Sequence, residues 1–186
     1  DIGCAAGLLG FELKQKLQAE VWGVECMPLA AEKACERLDH TLQGRIEETL
    51  PLLPVGYFDT IIMADVLEHL MCPEHVLHSL RDKLAAGGEL VASIPNVRHW
   101  QVLKNLLEGR WEYVDSGILD RTHLRFFTVT DGILLFEKAG YTVLHREAVI
   151  LHGEAGIPEA VVGTLSDIGL NVGTLIGETP SSVPRS

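Results

Sequence analysis

The chain opens on a glycine-rich turn that restricts what the following residues can form. The sequence DIGCAAGLLG occupies positions 1–10 and places glycine at positions 3, 7 and 10. Glycines at a strand–helix turn let the backbone approach a ligand, and the following helix offers unpaired N–H groups and a positive dipole end. The turn therefore predicts a site for a dinucleotide pyrophosphate or for the carboxylate of an amino-acid-like ligand.

Apolar segments with strand and helix periodicity alternate after this turn, which is typical of α/β domains. Strands are predicted over 21–24, 58–64 and 89–94, and helices over 11–18, 28–38, 73–84 and 130–139. Residues 86–88 (AGG) are expected to end the helix before the strand at 89. A final strand is predicted over 141–150.

Two segments differ in composition from the rest of the expected domain, which spans 1–150. Residues 96–128 carry two of the three tryptophans and a local excess of basic residues, and we expect them to form a lid-like insertion. Residues 151–186 are rich in glycine and proline with weak periodicity, and they are interpreted as a C-terminal tail separate from the domain.

Charge and cysteine usage exclude several classes of partner. The chain has 15 Lys+Arg against 26 Asp+Glu and a net charge of −11, which repels nucleic acid and anionic membrane surfaces. Its four cysteines form no CxxC pair and no zinc-like Cys/His spacing. The sequence therefore predicts no metal site, no nucleic-acid or membrane partner, and free thiols in a reducing cytoplasm.

Acidic and imidazole side chains follow two predicted strands. Glu25 ends the strand over 21–24, where a carboxylate can accept hydrogen bonds from two ribose hydroxyls. Asp65, Glu68 and His69 follow the buried strand FDTIIMA. Open α/β sheets bind ligands at the carboxyl ends of their strands, so these polar groups are candidate site residues.

Four segments together resemble class I S-adenosylmethionine-dependent methyltransferases: the DIGCAAG turn, VWGVECM, FDTIIMADVLEHL and the strand ending in SIPN. The stretches SIPNVRHW and GILDRTHLRFFT resemble a bacterial subgroup often joined to glycosyltransferase modules. The resemblance covers residues 1 to about 150. It implies a Rossmann-like, doubly wound, mostly parallel sheet, S-adenosylmethionine as cofactor, and fusion to or association with a glycosyltransferase module.

The resemblance also assigns roles to individual residues. Asp1 is expected to hold the methionine amino group, Glu25 the ribose hydroxyls, and Ala64 and Asp65 the floor beneath the sulfonium. The full set of expected cofactor contacts is Asp1, Gly3, Cys4, Gly7, Glu25, Cys26, Met27, Ile46, Ala64 and Asp65.

The chain departs from the family pattern at three places. Arg45 stands where an acid often receives the adenine amino group, and Ala5 stands where glycine is common, which is tolerable if its φ stays negative. The central strand that should feed the turn is absent before Asp1. We therefore expect the sequence to be part of a longer polypeptide whose preceding residues supply that strand.

Methyl transfer to a hydroxyl benefits from a general base, and histidine suits neutral pH. His69 and His123 are the catalytic candidates, although a hydrogen bond that stiffens a loop is an alternative role for His69. Arg98, Arg121 and Arg125 are predicted to bind an anionic acceptor, with ion pairs to Asp115 or Asp120 as the alternative. Trp100 is predicted to stack on the acceptor.

The leading functional hypothesis is methyl transfer to a small or carbohydrate-like acceptor, by O-methylation rather than N-methylation. A quinone-type O-methyltransferase is the alternative within the same class and is favoured by the Glu68-His69 pair at the strand end. An NAD(P)-dependent oxidoreductase and a non-catalytic cofactor-fold module are the alternatives from other classes.

Overall fold

Strands and helices alternate through the described residues, 1–148, of the computed structural model. The elements are α1 (Leu8–Leu17), β1 (Trp22–Glu25), α2 (Pro28–Cys35), β2 (His40–Gln43), α3 (Ile46–Thr49), β3 (Phe58–Ala64), α4 (Pro73–Arg81), β4 (Leu84–Ser93), α5 (Trp100–Leu107) and α6 (Val129–Lys138). Short 3₁₀ turns lie at Leu50–Leu52 and Leu67–His69. The predicted tail, 151–186, lies outside the described residues.

The sheet is parallel and has Ile2 at its centre. Strand β1 pairs with β2, and β3 pairs with β4. Ile2 forms parallel bridges to Val24 on one side and to Met63 on the other. The lateral order is therefore β2, β1, Ile2, β3, β4, and the pairs are joined by hydrogen bonds from Ile2 N to Ile62 O (2.9 Å) and from Val24 N to Asp1 O (3.0 Å).

Helices pack on both faces of this sheet at β1, whose successive residues point to opposite faces. Gly23 in β1 lies against Cys4 and Leu38, which belong to a small core cluster beside α1 and α2. Its neighbour Val24 belongs to a larger cluster. That cluster also holds buried residues of β3, α4 and α6, such as Met63, Leu77 and Leu135. The predicted α/β fold with helices on both faces is confirmed.

The boundary between α4 and β4 differs from the prediction. The helix ends at Arg81 and the strand begins at Leu84, so residues 86–88 belong to the strand. A Cβ at Gly88 would lie 2.7 Å from the Phe58 carbonyl oxygen, and the register shifts between Phe58 and Thr60. Glycine here serves a close approach of two strands, which the sequence pattern does not distinguish from the end of a helix.

Two further strand predictions were wrong or incomplete. The described part of the predicted strand over 141–150, residues 141–148, is not a strand. Val143 and Leu144 are exposed, so the alternating pattern there buries no apolar face. Strand β2 was not predicted because His40–Gln43 is polar and only half-buried at its centre.

The segment predicted as a lid, 96–128, folds back onto the carboxyl ends of β3 and β4. It begins with Val97 N donating to Phe127 O (2.9 Å) and contains α5. Its C-terminal part binds the loop after β3, where the backbone N–H groups of Leu124 and Arg125 both donate to Glu68 O. No helix among residues 1–148 is long and apolar enough to span a membrane.

The larger core cluster predicts which side chains contribute most to the free energy of unfolding. Leu77 in α4 is fully buried, whereas Leu29 in α2 is 76% exposed. We expect Leu77→Ala to lower the free energy of unfolding by about 2–5 kcal/mol, since it leaves a cavity. Leu29→Ala is the matched control and should change the free energy by less than about 0.5 kcal/mol. Chemical denaturation of the full chain measures both, and equal effects would contradict the placement of α4.

Candidate active site

The glycine-rich turn leaves the centre of the sheet between β1 and β3. Gly3 and Gly7 have φ of 72° and 75°, in the left-handed region that favours glycine. A Cβ at Gly3 would lie 2.7 Å from a methyl carbon of Val66, so the turn lies directly against the loop after β3. Gly7 precedes the first turn of α1 and approaches Ala34 of α2. The turn is exposed at Gly3 and can admit a ligand there.

Ala5 does not keep the negative φ under which its side chain would be tolerable. Its φ is 47°, a left-handed conformation that strains an L-residue. The conformation directs the Ala5 N–H to Glu25 Oε2 at 2.8 Å. Glycine at this position would adopt the same backbone conformation with less strain.

Glu25 connects the glycine-rich turn to the turn after β1. Its two carboxylate oxygens accept hydrogen bonds from the backbone N–H groups of Ala5 (2.8 Å) and Met27 (2.7 Å). The residue is 7% exposed. Each carboxylate oxygen has a second acceptor site, so the group remains able to accept bonds from ribose hydroxyls.

Other predicted cofactor residues divide between the core and the surface. The Cys4 side chain is buried beside Gly23, and burial raises the pKa of its thiol. The Ile46 side chain also lies in the core. These two residues can face a cofactor only through their backbone. Cys26 and Met27 are exposed beyond Glu25.

Asp65 begins the loop after β3 in a strained conformation. Its φ is 52°, and its Oδ1 accepts a hydrogen bond from the Ser93 hydroxyl at 2.8 Å. Ser93 ends β4, and its hydroxyl oxygen also lies 3.1 Å from the Asp65 backbone N. This reciprocal contact fixes the exposed Asp65 at the carboxyl ends of two neighbouring strands.

Glu68 is the most unusual side chain of the site. It is 1% exposed, and neither carboxylate oxygen has a hydrogen-bond partner among residues 1–148. Burial raises the pKa of this carboxyl group to about 7. A buried carboxylate without partners is costly, so the group is either protonated or paired with something outside the described chain.

His69 and His123, predicted separately, are brought into contact. Their ring centroids lie 4.7 Å apart in an edge-to-face arrangement. His69 Nδ1 lies 3.3 Å from Thr122 O, and His123 Nδ1 lies 3.0 Å from Ile118 O. Donation of Nδ1–H to these carbonyl groups leaves Nε2 of each ring as the free acceptor.

A short polar network supports the His69 ring from the lid. The Thr122 hydroxyl lies 3.3 Å from His69 Nδ1 and donates to Asp120 Oδ1 at 2.6 Å. The Thr122 hydrogen bonds lower the pKa of the Asp120 carboxyl group. An ionised Asp120 therefore fixes Thr122, and Thr122 in turn fixes the ring.

Two of the three predicted acceptor-binding arginines have protein partners. Arg121 Nε lies 2.8 Å from Asp115 Oδ1 in an exposed ion pair, which is one of the alternatives considered from the sequence. Arg125 donates to Met71 O at 2.6 Å. Arg98 is half-buried near the start of the lid.

Aromatic side chains border the two histidines on the lid side. Phe126 lies 6.3 Å from His123 between ring centroids, and Trp111 packs edge-to-face on Phe126 at 5.4 Å. Tyr113 completes this group of rings. Trp100, the predicted stacking residue, instead lies beside His99 at 6.1 Å.

A family sequence profile described as a methyltransferase domain matches residues 1–146. The chain belongs to this methyltransferase family. The predicted membership of the class I S-adenosylmethionine-dependent methyltransferases and the predicted Rossmann-like fold are thereby confirmed. The match also excludes the alternative that the chain is an NAD(P)-dependent oxidoreductase.

Individual relatives agree with the family assignment. A mitochondrial ubiquinone biosynthesis O-methyltransferase of Schizosaccharomyces pombe is 37% identical over 103 residues, which cover 50% of this chain and 36% of the relative. A ubiquinone biosynthesis O-methyltransferase of Cereibacter sphaeroides is 27% identical over 158 residues, covering 82% and 63%. The chain thus spans less than two thirds of both curated relatives.

A solved structure extends this comparison to the fold. The S-adenosylmethionine-dependent methyltransferase of Thermotoga maritima superimposes with a TM-score of 0.58 at 25% identity, and the match covers 76% of this chain and 62% of that one.

Sequence reasoning missed two features of the site. The sequence marks Glu68 as a candidate site residue but does not predict its burial, which depends on the lid segment that binds its carbonyl oxygen. Thr122 was not considered, because its contact with His69 joins residues that are 53 positions apart. A polar residue directly before His123 in the LDRTHLR motif is the signal that was available for Thr122.

The strain at Ala5 predicts how glycine substitutions in the turn change the free energy of unfolding. Ala5→Gly should raise the free energy of unfolding by about 0.5–1 kcal/mol. The left-handed conformation of alanine costs about 1–2 kcal/mol, which glycine does not incur. Part of this stabilisation is offset because glycine increases the conformational entropy of the unfolded chain. Ala6, which has no positive φ, is the control. Ala6→Gly should lower the free energy by about 0.5–1 kcal/mol. Denaturant titration measures both, and destabilisation by both variants would refute the assigned turn geometry.

Proposed function

We propose that the chain binds S-adenosylmethionine and transfers its methyl group to an oxygen atom of a small acceptor. The observation that carries the proposal is the paired His69 and His123 rings beside the loop that contacts the glycine-rich turn. The curated relatives that bear the name O-methyltransferase support transfer to oxygen.

The residues present suit this cofactor. Gly3 has a positive φ and a side chain there would collide with Val66, so glycine is required at this exposed point of the turn. Glu25 retains acceptor capacity for ribose hydroxyls, and Met27 offers an exposed apolar surface for adenine. Asp1 and Asp65 flank the turn and carry the charge that an α-ammonium group and a sulfonium attract.

When bound, S-adenosylmethionine supplies a methyl group on a positively charged sulfur. The chain orients the acceptor oxygen in line with that methyl, and orientation alone lowers the barrier by several kcal/mol. Nε2 of His69 or His123 accepts the acceptor's hydroxyl proton, because Nδ1 of each ring is directed at a carbonyl group. The Thr122–Asp120 pair holds the His69 ring for this step.

The acceptor carries a ring. Trp111, Tyr113 and Phe126 form an aromatic surface beside His123, on which a sugar or an aromatic ring stacks. This surface also suits the quinone-type alternative, which the names of the curated relatives support. A methyl-transfer assay should therefore include both acceptor classes. The acceptor that yields methylated product identifies the class, and product formation also distinguishes an enzyme from a non-catalytic cofactor-binding module.

The proposal also includes the location of the protein and the class of its partners. A cytoplasmic location is supported by the four free cysteines, three of them exposed. The acidic net charge supports a small-molecule acceptor over a nucleic acid. Association with a glycosyltransferase module stays a prediction from the sequence resemblance.

Cofactor binding tests the first part of this function. Titration calorimetry with S-adenosylhomocysteine should give saturable binding, whereas NAD and NADP should give none. Glu25→Ala should weaken S-adenosylhomocysteine by about 1–3 kcal/mol, because two hydroxyl groups lose a charged partner. Glu32→Ala, an exposed carboxylate of α2, is the control and should leave the affinity unchanged. Equal affinities for Glu25→Ala and the parent would refute the ribose assignment.

Substitution of two lid arginines tests whether the lid binds the acceptor. Arg121→Ala and Arg125→Ala should raise the KM for the acceptor and leave cofactor affinity nearly unchanged. The exposed Arg121–Asp115 ion pair contributes little to stability, so Arg121→Ala should fold. Arg125→Ala removes one exposed hydrogen bond to the Met71 carbonyl group, so it should fold as well. Arg110→Ala, a lid arginine paired with Glu108, is the control with an unchanged KM. Loss of cofactor binding in the two test variants would show that these arginines are structural.

A further inference from the structure

A groove between α4, α6 and the end of the lid lies apart from the candidate active site. Its volume is about 660 Å³, within the range of about 300–1,000 Å³ that small-molecule sites occupy. Neither His69 nor His123 lines the groove, and none of the predicted cofactor residues does. We propose that this groove is a second binding site, which takes an organic anion with an apolar body.

Core side chains form the apolar floor of the groove. Phe127 at the end of the lid, Leu135 of α6 and Ala139 directly after α6 line it, and all three are buried. They belong to the larger core cluster, so the same packing that positions α4 and α6 also fixes the floor. A ligand that covers the floor removes apolar surface from water, which favours binding of an apolar body.

Basic side chains surround this floor. The cations of Arg125 and Lys138 lie on two sides of the groove, and both residues are exposed. His75 and His78 of α4 also line it, and their spacing of three positions places both rings on one face of the helix. An imidazole ring offers at least one N–H donor in either protonation state. The groove therefore presents hydrogen-bond donors from three separate segments.

Most of these donors are not used within the described part of the chain. One Nη atom of Arg125 donates to Met71 O at 2.6 Å, and the guanidinium has further N–H groups that remain available. The Lys138 ammonium group has no ion pair or hydrogen bond among residues 1–148. Both groups can therefore donate charge-assisted hydrogen bonds to a carboxylate, sulfonate or phosphate group.

Charge complementarity indicates the class of ligand. The chain as a whole has a net charge of −11 and repels anions over most of its surface. In the groove, Arg125 and Lys138 are accompanied by one carboxylate, that of Glu74. This local excess of positive charge beside an apolar floor suits a small molecule that joins an anionic group to an apolar body. A neutral apolar molecule would gain nothing from the two cations.

Anilinonaphthalene sulfonate (ANS) is the probe for this site, because it joins one sulfonate to aromatic rings and fluoresces when bound to apolar surface. Titration of the full chain with ANS is carried out in excess S-adenosylhomocysteine, so that the candidate cofactor cleft does not take up the probe. Saturable binding is the expected result. N-phenylnaphthylamine has the same rings without the sulfonate and should bind at least about 5-fold more weakly, because it forms no charge-assisted hydrogen bond.

Substitutions at Lys138 locate the probe. Lys138→Glu should weaken ANS at least about 10-fold and Lys138→Met about 3-fold, whereas Lys138→Arg should keep the parent affinity. Lys33→Glu is the matched control, since Lys33 is an exposed lysine of α2 outside the groove. It should leave ANS binding unchanged. Lys138 is exposed, so its variants should fold, and circular dichroism verifies this.

Parent-like ANS affinity in Lys138→Glu and Lys138→Met would overturn the inference, and so would absence of saturable binding by the parent chain. Equal losses in Lys138→Glu and Lys33→Glu would show an effect of net charge alone and would also overturn it. Equal affinities for ANS and N-phenylnaphthylamine would refute the anionic class of the ligand. The inference goes beyond the proposed methyl transfer, which the cofactor and acceptor measurements test separately.

Discussion

Backbone pairing at Asp1 and Ile2 determines the arrangement of the whole site. These residues bond to β1 on one side and to β3 on the other, which joins the two strand pairs into one parallel sheet. The carboxyl ends of β1 and β3 therefore lie on either side of the glycine-rich turn. Parallel strands bring their carboxyl ends and the following loops together, and here Glu25 ends β1 and residues 65–69 follow β3.

Polar contacts then fix each loop in place. Glu25 holds the two turns beside β1, Ser93 holds Asp65, and the Glu68 carbonyl oxygen holds the returning lid. Ala5 and Asp65 both adopt left-handed φ within this region. Strain of this kind persists only where surrounding contacts impose it, and it concentrates at functional sites. The contacts thus maintain a geometry that the backbone alone would avoid.

The sequence predicted the elements whose pattern is local. The apolar run FDTIIMA predicted β3 with its observed bounds, since β-branched and apolar residues favour a strand. Only one face of β3 is buried, at Ile61 and Met63, whereas Thr60 and Ala64 on the other face are exposed. Gly88 was misjudged because its role is a close approach to Phe58, a contact outside its own segment. The sequence singles out His69 and His123 one at a time, because their contact and the burial of Glu68 depend on how the lid folds, which no local pattern encodes.

We propose that cofactor and acceptor meet where the glycine-rich turn touches the loop after β3. A crystal structure of the full chain with S-adenosylhomocysteine measures this most directly. We expect ribose hydroxyls on Glu25, the amino-acid portion over Gly3, and the thioether sulfur facing Asp65 and His69. Nucleoside density at any other part of the sheet, with residues 65–69 remote from the sulfur, would contradict it.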